Sequence, residues 1–129
     1  MKKNLCKTLA LAACLVLSFT VPAFAQTGWV RSGDAWNYYN KDGEMATSQW
    51  VKNGEALFWI DENGFMAVNT WHETDGVKYW LDGSGAAATG WTEIDGKWYY
   101  FQEESHAMAS ECYVGSYYVG EDGAWIAGK

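Results

Sequence analysis

Proline, cysteine, histidine and positive charge are all scarce in this chain. The single proline, Pro22, and two of the three cysteines, Cys6 and Cys14, fall within the first 25 residues. That stretch reads as a secretory leader. Lys2, Lys3 and Lys7 make a basic start, an apolar run extends from Leu9 to Val21, and Ala23-Phe24-Ala25 supplies the small-x-small pattern of a cleavage site. The apolar run is too short for a good membrane span. Leu11-Ala12-Ala13-Cys14 has the form of a lipoprotein box, but only six residues separate Lys7 from Cys14, which is short for the apolar region. Cleavage after Ala25 would leave 26–129 as one small exported domain, with Cys112 as its one thiol and no internal disulfide.

Without the leader, six Lys and Arg stand against sixteen Asp and Glu, a net charge of −10. A chain this acidic repels a phosphate backbone, which argues against nucleic acid as a partner. The two histidines, His72 and His106, give no catalytic apparatus. Ser105 and His106 are merely adjacent, whereas a triad needs an orienting third group brought in by the fold. His72-Glu73-Thr74-Asp75 lacks metal-ligand spacing. Asp61-Glu62-Asn63-Gly64 lacks the length and closing Glu of a calcium loop, and no glycine-rich phosphate loop is present. The repeats described next begin two residues after the expected cleavage site, leaving no room for a catalytic domain. The expectation is a protein with no catalytic residues, no metal and no cofactor.

Aromatic residues and glycine are abundant. All nine Trp and all eight Tyr lie after residue 25, among fourteen glycines. The pattern is a repeat. Trp29, Trp50, Trp71 and Trp91 recur at intervals of 21, 21 and 20, and Gly43, Gly64 and Gly85 at 21. Met45, Met66 and Met108 share the frame, with Ala87 at the missing place. Turn signals follow the leading tryptophans at Ser32-Gly33, Asn53-Gly54, Asp75-Gly76 and Asp95-Gly96. A second set closes the units at Asp42-Gly43, Asn63-Gly64, Ser84-Gly85 and Asp122-Gly123. About five units result: 28–47, 48–68, 69–89, 90–110 and 111–129. The last is degenerate, with no leading Trp and with Trp125 near the Met position.

Each unit predicts strand, tight turn, strand and loop. A lone hairpin is marginal in water, so the units must stack. The expected fold is all-β, an elongated β-solenoid of stacked β-hairpin repeats. The central residues of the second strands are Trp36-Asn37-Tyr38-Tyr39, Leu57-Phe58-Trp59-Ile60, Lys78-Tyr79-Trp80-Leu81, Trp98-Tyr99-Tyr100-Phe101 and Ser116-Tyr117-Tyr118-Val119. Side chains alternate between faces. The second and fourth positions suit a shared core, and the first and third form a second, unusually aromatic face. Those rings either seal the junctions or form half-exposed cages, which would attract a quaternary ammonium or stack on sugar rings.

Thr89-Gly90-Trp91-Thr92-Glu93-Ile94-Asp95-Gly96-Lys97-Trp98-Tyr99-Tyr100-Phe101 resembles the choline-binding, or cell-wall-binding, repeat of Gram-positive surface proteins, autolysins and phage lysins. Gly28-Trp29 through Asp42-Gly43-Glu44-Met45-Ala46-Thr47 matches the same repeat. The resemblance implies a secreted or cell-surface binding module for choline-containing teichoic acid or another cell-wall glycopolymer. Related repeats bind carbohydrate, so a glucan- or glycan-binding protein is the alternative, and an adhesin-like structural protein is a third reading. In the family, choline sits between consecutive hairpins, against the opening Trp and strand-leading Trp of one and an aromatic of the next. Carried over, this implies sites at Trp29, Trp36 and Trp59 in the first junction and at Trp91, Trp98 and Tyr118 in the fourth. The second junction (Trp50, Trp80) has Leu57 in place of Trp. The third (Trp71, Tyr100) has Lys78, whose ammonium would repel a cation. In the fourth loop, Ser105-His106 replaces the usual glycine. Some family members pair through end repeats, which would make a homodimer through the last unit, near Cys112 and Trp125.

Overall fold

A computed structural model describes residues 26–129. The leader expected over residues 1–25, including Cys14, lies outside the described residues. The described residues form eleven strands: β1 Gly28–Ser32, β2 Ala35–Tyr39, β3 Gln49–Asn53, β4 Ala56–Ile60, β5 Thr70–Thr74, β6 Val77–Leu81, β7 Gly90–Ile94, β8 Lys97–Phe101, β9 Cys112–Val114, β10 Tyr117–Val119 and β11 Trp125–Ile126. They pair antiparallel as four two-stranded hairpins and a final three-stranded sheet, β9–β10–β11. The fold is an all-β stack of hairpin repeats, as the periodicity predicts.

Register is constant from unit to unit. The opening Trp pairs directly with the third position of its own second strand: Trp29 with Tyr38, Trp50 with Trp59, Trp71 with Trp80 and Trp91 with Tyr100. Tyr113 opposes Tyr118 in the same way, so it takes the place of the missing opening Trp in the fifth unit. Each two-residue turn begins four residues after the opening Trp. Where Gly stands there (Gly33, φ 66°; Gly54, φ 65°), it alone carries the positive φ, the pattern of a type II′ turn. Where Asp75 or Asp95 stands there, the following Gly76 or Gly96 also has positive φ, the pattern of type I′. The expected Ser32-Gly33 and Asn53-Gly54 turns are thus displaced by one residue: Ser32 and Asn53 remain in their strands, paired with Ala35 and Ala56.

After each of the first three hairpins the chain makes an Asx-braced loop. The Oδ1 atoms of Asn40, Asp61 and Asp82 accept amide hydrogens two and four residues ahead. The chain then runs back along its own second strand, where Ala46, Ala67, Ala88 and Ala109 donate to the carbonyls of Tyr38, Trp59, Trp80 and Tyr100. The same loops bind the preceding unit: Met66, Ala87 and Met108 donate to the carbonyls of Trp36, Leu57 and Lys78 at 2.8, 2.8 and 2.9 Å. Backbone hydrogen bonds therefore set the spacing between hairpins.

The fourth loop has one extra residue. Gln102 closes on Ala107, five residues on, whereas Asn40, Asp61 and Asp82 close on the residue four ahead. His106 takes the place of the glycine and adopts its left-handed conformation, φ 65°. Where glycine is kept, the methionine of the preceding unit fills the space above it: a Cβ on Gly64 would lie 2.7 Å from Met45 Cε, and one on Gly85 2.6 Å from Met66 Cε. Above His106 that methionine is Ala87.

The core sits in the junctions. Ile60, Leu81, Phe101 and Val119, the fourth positions of successive second strands, are fully buried. One cluster joins Ala46, Val51 and Ile60 to Trp29, Tyr38, Phe58 and Met66. Another joins Ala88, Ile94 and Phe101 to Trp80, Tyr99 and Met108. Both clusters mix the first-and-third face of one hairpin with the second-and-fourth face of the next.

Candidate functional site

That face-to-face order decides which rings meet. A hairpin presents its first and third positions forward and its second and fourth positions backward. The ring that the next hairpin contributes to a junction must therefore come from its second position. Trp29 makes edge-on contact with Phe58 at 5.1 Å, Trp50 with Tyr79 at 4.8 Å, Trp71 with Tyr99 at 5.1 Å and Trp91 with Tyr117 at 5.8 Å.

The third-position residues expected there lie one face away. In the first junction, Phe58 stands where Trp59 was expected. Trp59 belongs to the second junction, 5.1 Å from Trp50 and stacked on His72 at 3.9 Å with an interplanar angle of 24°. In the fourth, Tyr117 replaces Tyr118, which pairs with Tyr113 at 5.0 Å and lies under Lys129 Nζ, 4.6 Å from its ring centroid. In the second, Trp50 meets Tyr79 rather than Trp80, which packs on Trp71 at 5.3 Å. In the third, Trp71 meets Tyr99 rather than Tyr100, which packs on Trp91 at 5.3 Å. By register, the opening residues Trp29, Trp50, Trp71 and Trp91 share the forward face of their hairpins with the strand-leading residues Trp36, Leu57, Lys78 and Trp98.

The fourth junction holds a cavity of about 270 Å³ lined by Trp91, Trp98, Tyr117 and Trp125. Trp91 and Trp98 come from one hairpin, Tyr117 from the next, and Trp125 from the short strand that follows. The Tyr117 and Trp125 rings stand 6.0 Å apart at 81°, so they form two walls of a corner. Trp98, Tyr117 and Trp125 are each at least 40% exposed, which keeps their faces open to a ligand. Trp125 was placed near the Met position from sequence but not in the site; its offset of two from Gly123, matching Met66 from Gly64, is the signal that could have put it there.

The first junction has Trp29, Trp36 and Phe58, with Trp36 exposed on the same face as Trp29. The second lacks a strand-leading ring at Leu57 and carries His72 wedged between Trp50 and Trp59. The His72 Nε2 atom is buried with no hydrogen-bond partner, and burial lowers its pKa below the usual 6.5. The third has a polar cavity of about 400 Å³ lined by Trp71, Glu73, Lys78, Tyr99 and Asp122. Among the described residues, no group of three or more His, Cys, Asp or Glu side chains could hold a metal ion. No helix among them is long and apolar enough to cross a membrane.

Comparison with known proteins gives a family and a set of folds. The model of the choline-binding repeat matches residues 26–71 and 71–113. CbpJ of Streptococcus pneumoniae is similar at 33% identity and a TM-score of 0.69, over 78% of this chain and 34% of that one. Choline binding protein F of the same organism gives 32%, 0.69, 78% and 34%. The modular autolysin LytC, again of S. pneumoniae, gives 32%, 0.68, 78% and 23%. This chain therefore spans about a third or less of the length of these relatives. No match is found among curated proteins. The match runs from Gln26 to Tyr113 and takes in the whole of the first four hairpins, so this chain belongs to the choline-binding repeat family.

Proposed function

We propose that this protein is an exported, non-catalytic module that binds choline-bearing cell-wall polymers through the first and fourth junctions. The observation that carries the reading is the fourth-junction cavity walled by Trp91, Trp98, Tyr117 and Trp125. Ring faces carry negative quadrupole charge, so a trimethylammonium seated among four of them is attracted at about 0.5–2 kcal/mol per contact, depending on desolvation. The net charge of −10 beyond the leader raises the local concentration of cations. Trp29, Trp36 and Phe58 form a three-ring version in the first junction. A single open cage of this kind is expected to bind in the millimolar range. Two on one stack gain through effective concentration when the choline groups belong to one polymer.

Intrinsic Trp fluorescence, titrated with choline to tens of millimolar, tests the reading. A saturable change, together with retention on a quaternary-amine resin eluted by free choline, is expected. A flat titration with no retention would overturn it.

A further inference from the structure

The third junction differs from its neighbours in chemistry rather than in architecture. Trp71 and Tyr99 meet edge-on at 5.1 Å, as the corresponding rings do elsewhere. The strand-leading position carries Lys78, and directly across the hairpin stands Glu73. Asp122, from the loop of the fifth unit, completes the wall of the 400 Å³ cavity. One Asp122 carboxylate oxygen, Oδ1, accepts the Ala124 amide at 3.0 Å, which holds the group in place and leaves its other oxygen free. Trp71 is 36% exposed, while its other contacts are with Trp80 and Phe101 in the core. It presents a fixed apolar platform.

Each charge in this wall works against one class of ligand. Lys78 opposes a quaternary ammonium, and Glu73 with Asp122 opposes an anion. A polyhydroxylated neutral ring uses all of them. Its hydroxyls accept from the Lys78 ammonium and donate to the two carboxylates, and each charge-assisted bond is stronger than its neutral counterpart. Its apolar face covers the exposed Trp71 ring. We propose that the third junction is a separate site for a neutral pyranose of a glycan chain, with Trp71 as the stacking platform and Lys78, Glu73 and Asp122 as hydrogen-bonding partners. This site is independent of whether choline binds at the fourth junction.

The test follows the indole N–H signals of Trp71, Trp91 and Trp98 by NMR in ¹⁵N-labelled protein. The probes are cellotetraose, maltotetraose, the β-1,4 tetramer of N-acetylglucosamine, choline and phosphocholine. At least one of the three oligosaccharides should move Trp71 saturably while leaving Trp98 unmoved. Lys78→Met and Glu73→Gln, both at exposed positions, should each weaken that response by roughly tenfold, with the near-UV circular dichroism unchanged. The proposal fails if none of the three oligosaccharides moves Trp71. It also fails if the response persists in the Lys78→Met/Glu73→Gln double variant, or if phosphocholine moves Trp71 and the sugars do not. Choline shifts at Trp91 and Trp98 report on the fourth junction alone, so the two readings fail separately.

Discussion

The imidazole Nδ1 of His106 lies 3.2 Å from the carbonyl oxygen of Ala87, across the boundary between the third and fourth units. At the corresponding place in other junctions, a methionine lies over a glycine. Here both members have changed together: the large residue has become small and the absent side chain has become large. The buried imidazole fills the space and stays within hydrogen-bonding distance of a carbonyl.

This exchange predicts energetic coupling. Ala87→Met should drive a long side chain into the imidazole and cost about 1–3 kcal/mol, the usual range for overpacking. His106→Gly should be destabilising through the lost packing and hydrogen bond. The double variant restores the Met-over-Gly arrangement of the other units. Its cost should fall below the sum of the single costs by at least ~1 kcal/mol, within the range seen for residues in contact. Urea unfolding midpoints at constant slope measure this, and strict additivity would refute it.

Two neighbouring tyrosines should behave differently towards choline. Tyr117 lines the fourth cavity, whereas Tyr118 lies on the opposite face of its strand against Tyr113. Tyr117→Ala, like Trp98→Ala, should weaken choline binding at that junction about tenfold or more through lost ring contact. Tyr118→Ala should leave it nearly unchanged. A choline titration followed at the Trp91 indole distinguishes them, and the reverse order would place the cage on the other face.

His72 should make stability pH-dependent. Its folded pKa lies below 6.5 because burial penalises the charged form. Between that lowered value and the unfolded value, the unfolded chain therefore binds more protons. Stability should fall as pH drops from above 6.5 through the folded pKa. His72→Val, which copies Val51 at the same place in the preceding unit, should remove this component. It should also cost little at neutral pH, because the unpartnered Nε2 goes with it. Unfolding curves at pH 7.5 and 5.0 for both proteins decide the matter.

Lys78→Trp should create a choline site at the third junction. The substitution removes the repelling ammonium and restores the strand-leading ring beside Trp71 and Tyr99. Calorimetric titration should count one more choline site than the parent protein shows.

The repeat frame, the five hairpins and the all-β stack were legible in sequence because Trp and Gly recur at a fixed interval. The fully buried Ile60, Leu81, Phe101 and Val119 were legible from strand alternation alone. The ring borrowed from each following hairpin was misplaced by one residue, at Trp59, Trp80, Tyr100 and Tyr118. Alternation within one hairpin does not say that its two faces meet two different neighbours. Once both faces are buried in junctions, parity requires Phe58, Tyr79, Tyr99 and Tyr117 instead. The His106–Ala87 exchange was unreadable for a related reason: each residue departs from the repeat on its own, and only the stacking brings them together. The displaced turns at Gly33 and Gly54 were recoverable, since their offset from the opening Trp matches that of Asp75 and Asp95.

The loop amides of Met66, Ala87 and Met108 grip the carbonyls of Trp36, Leu57 and Lys78 whatever side chains those residues carry. Pitch and recognition are thereby written in different parts of the chain. A junction can exchange a tryptophan for a leucine or a lysine without altering the distance to the next. Such a scaffold can read a polymer of mixed composition as a ruler carrying unlike marks, each mark open to revision while the spacing between marks is kept.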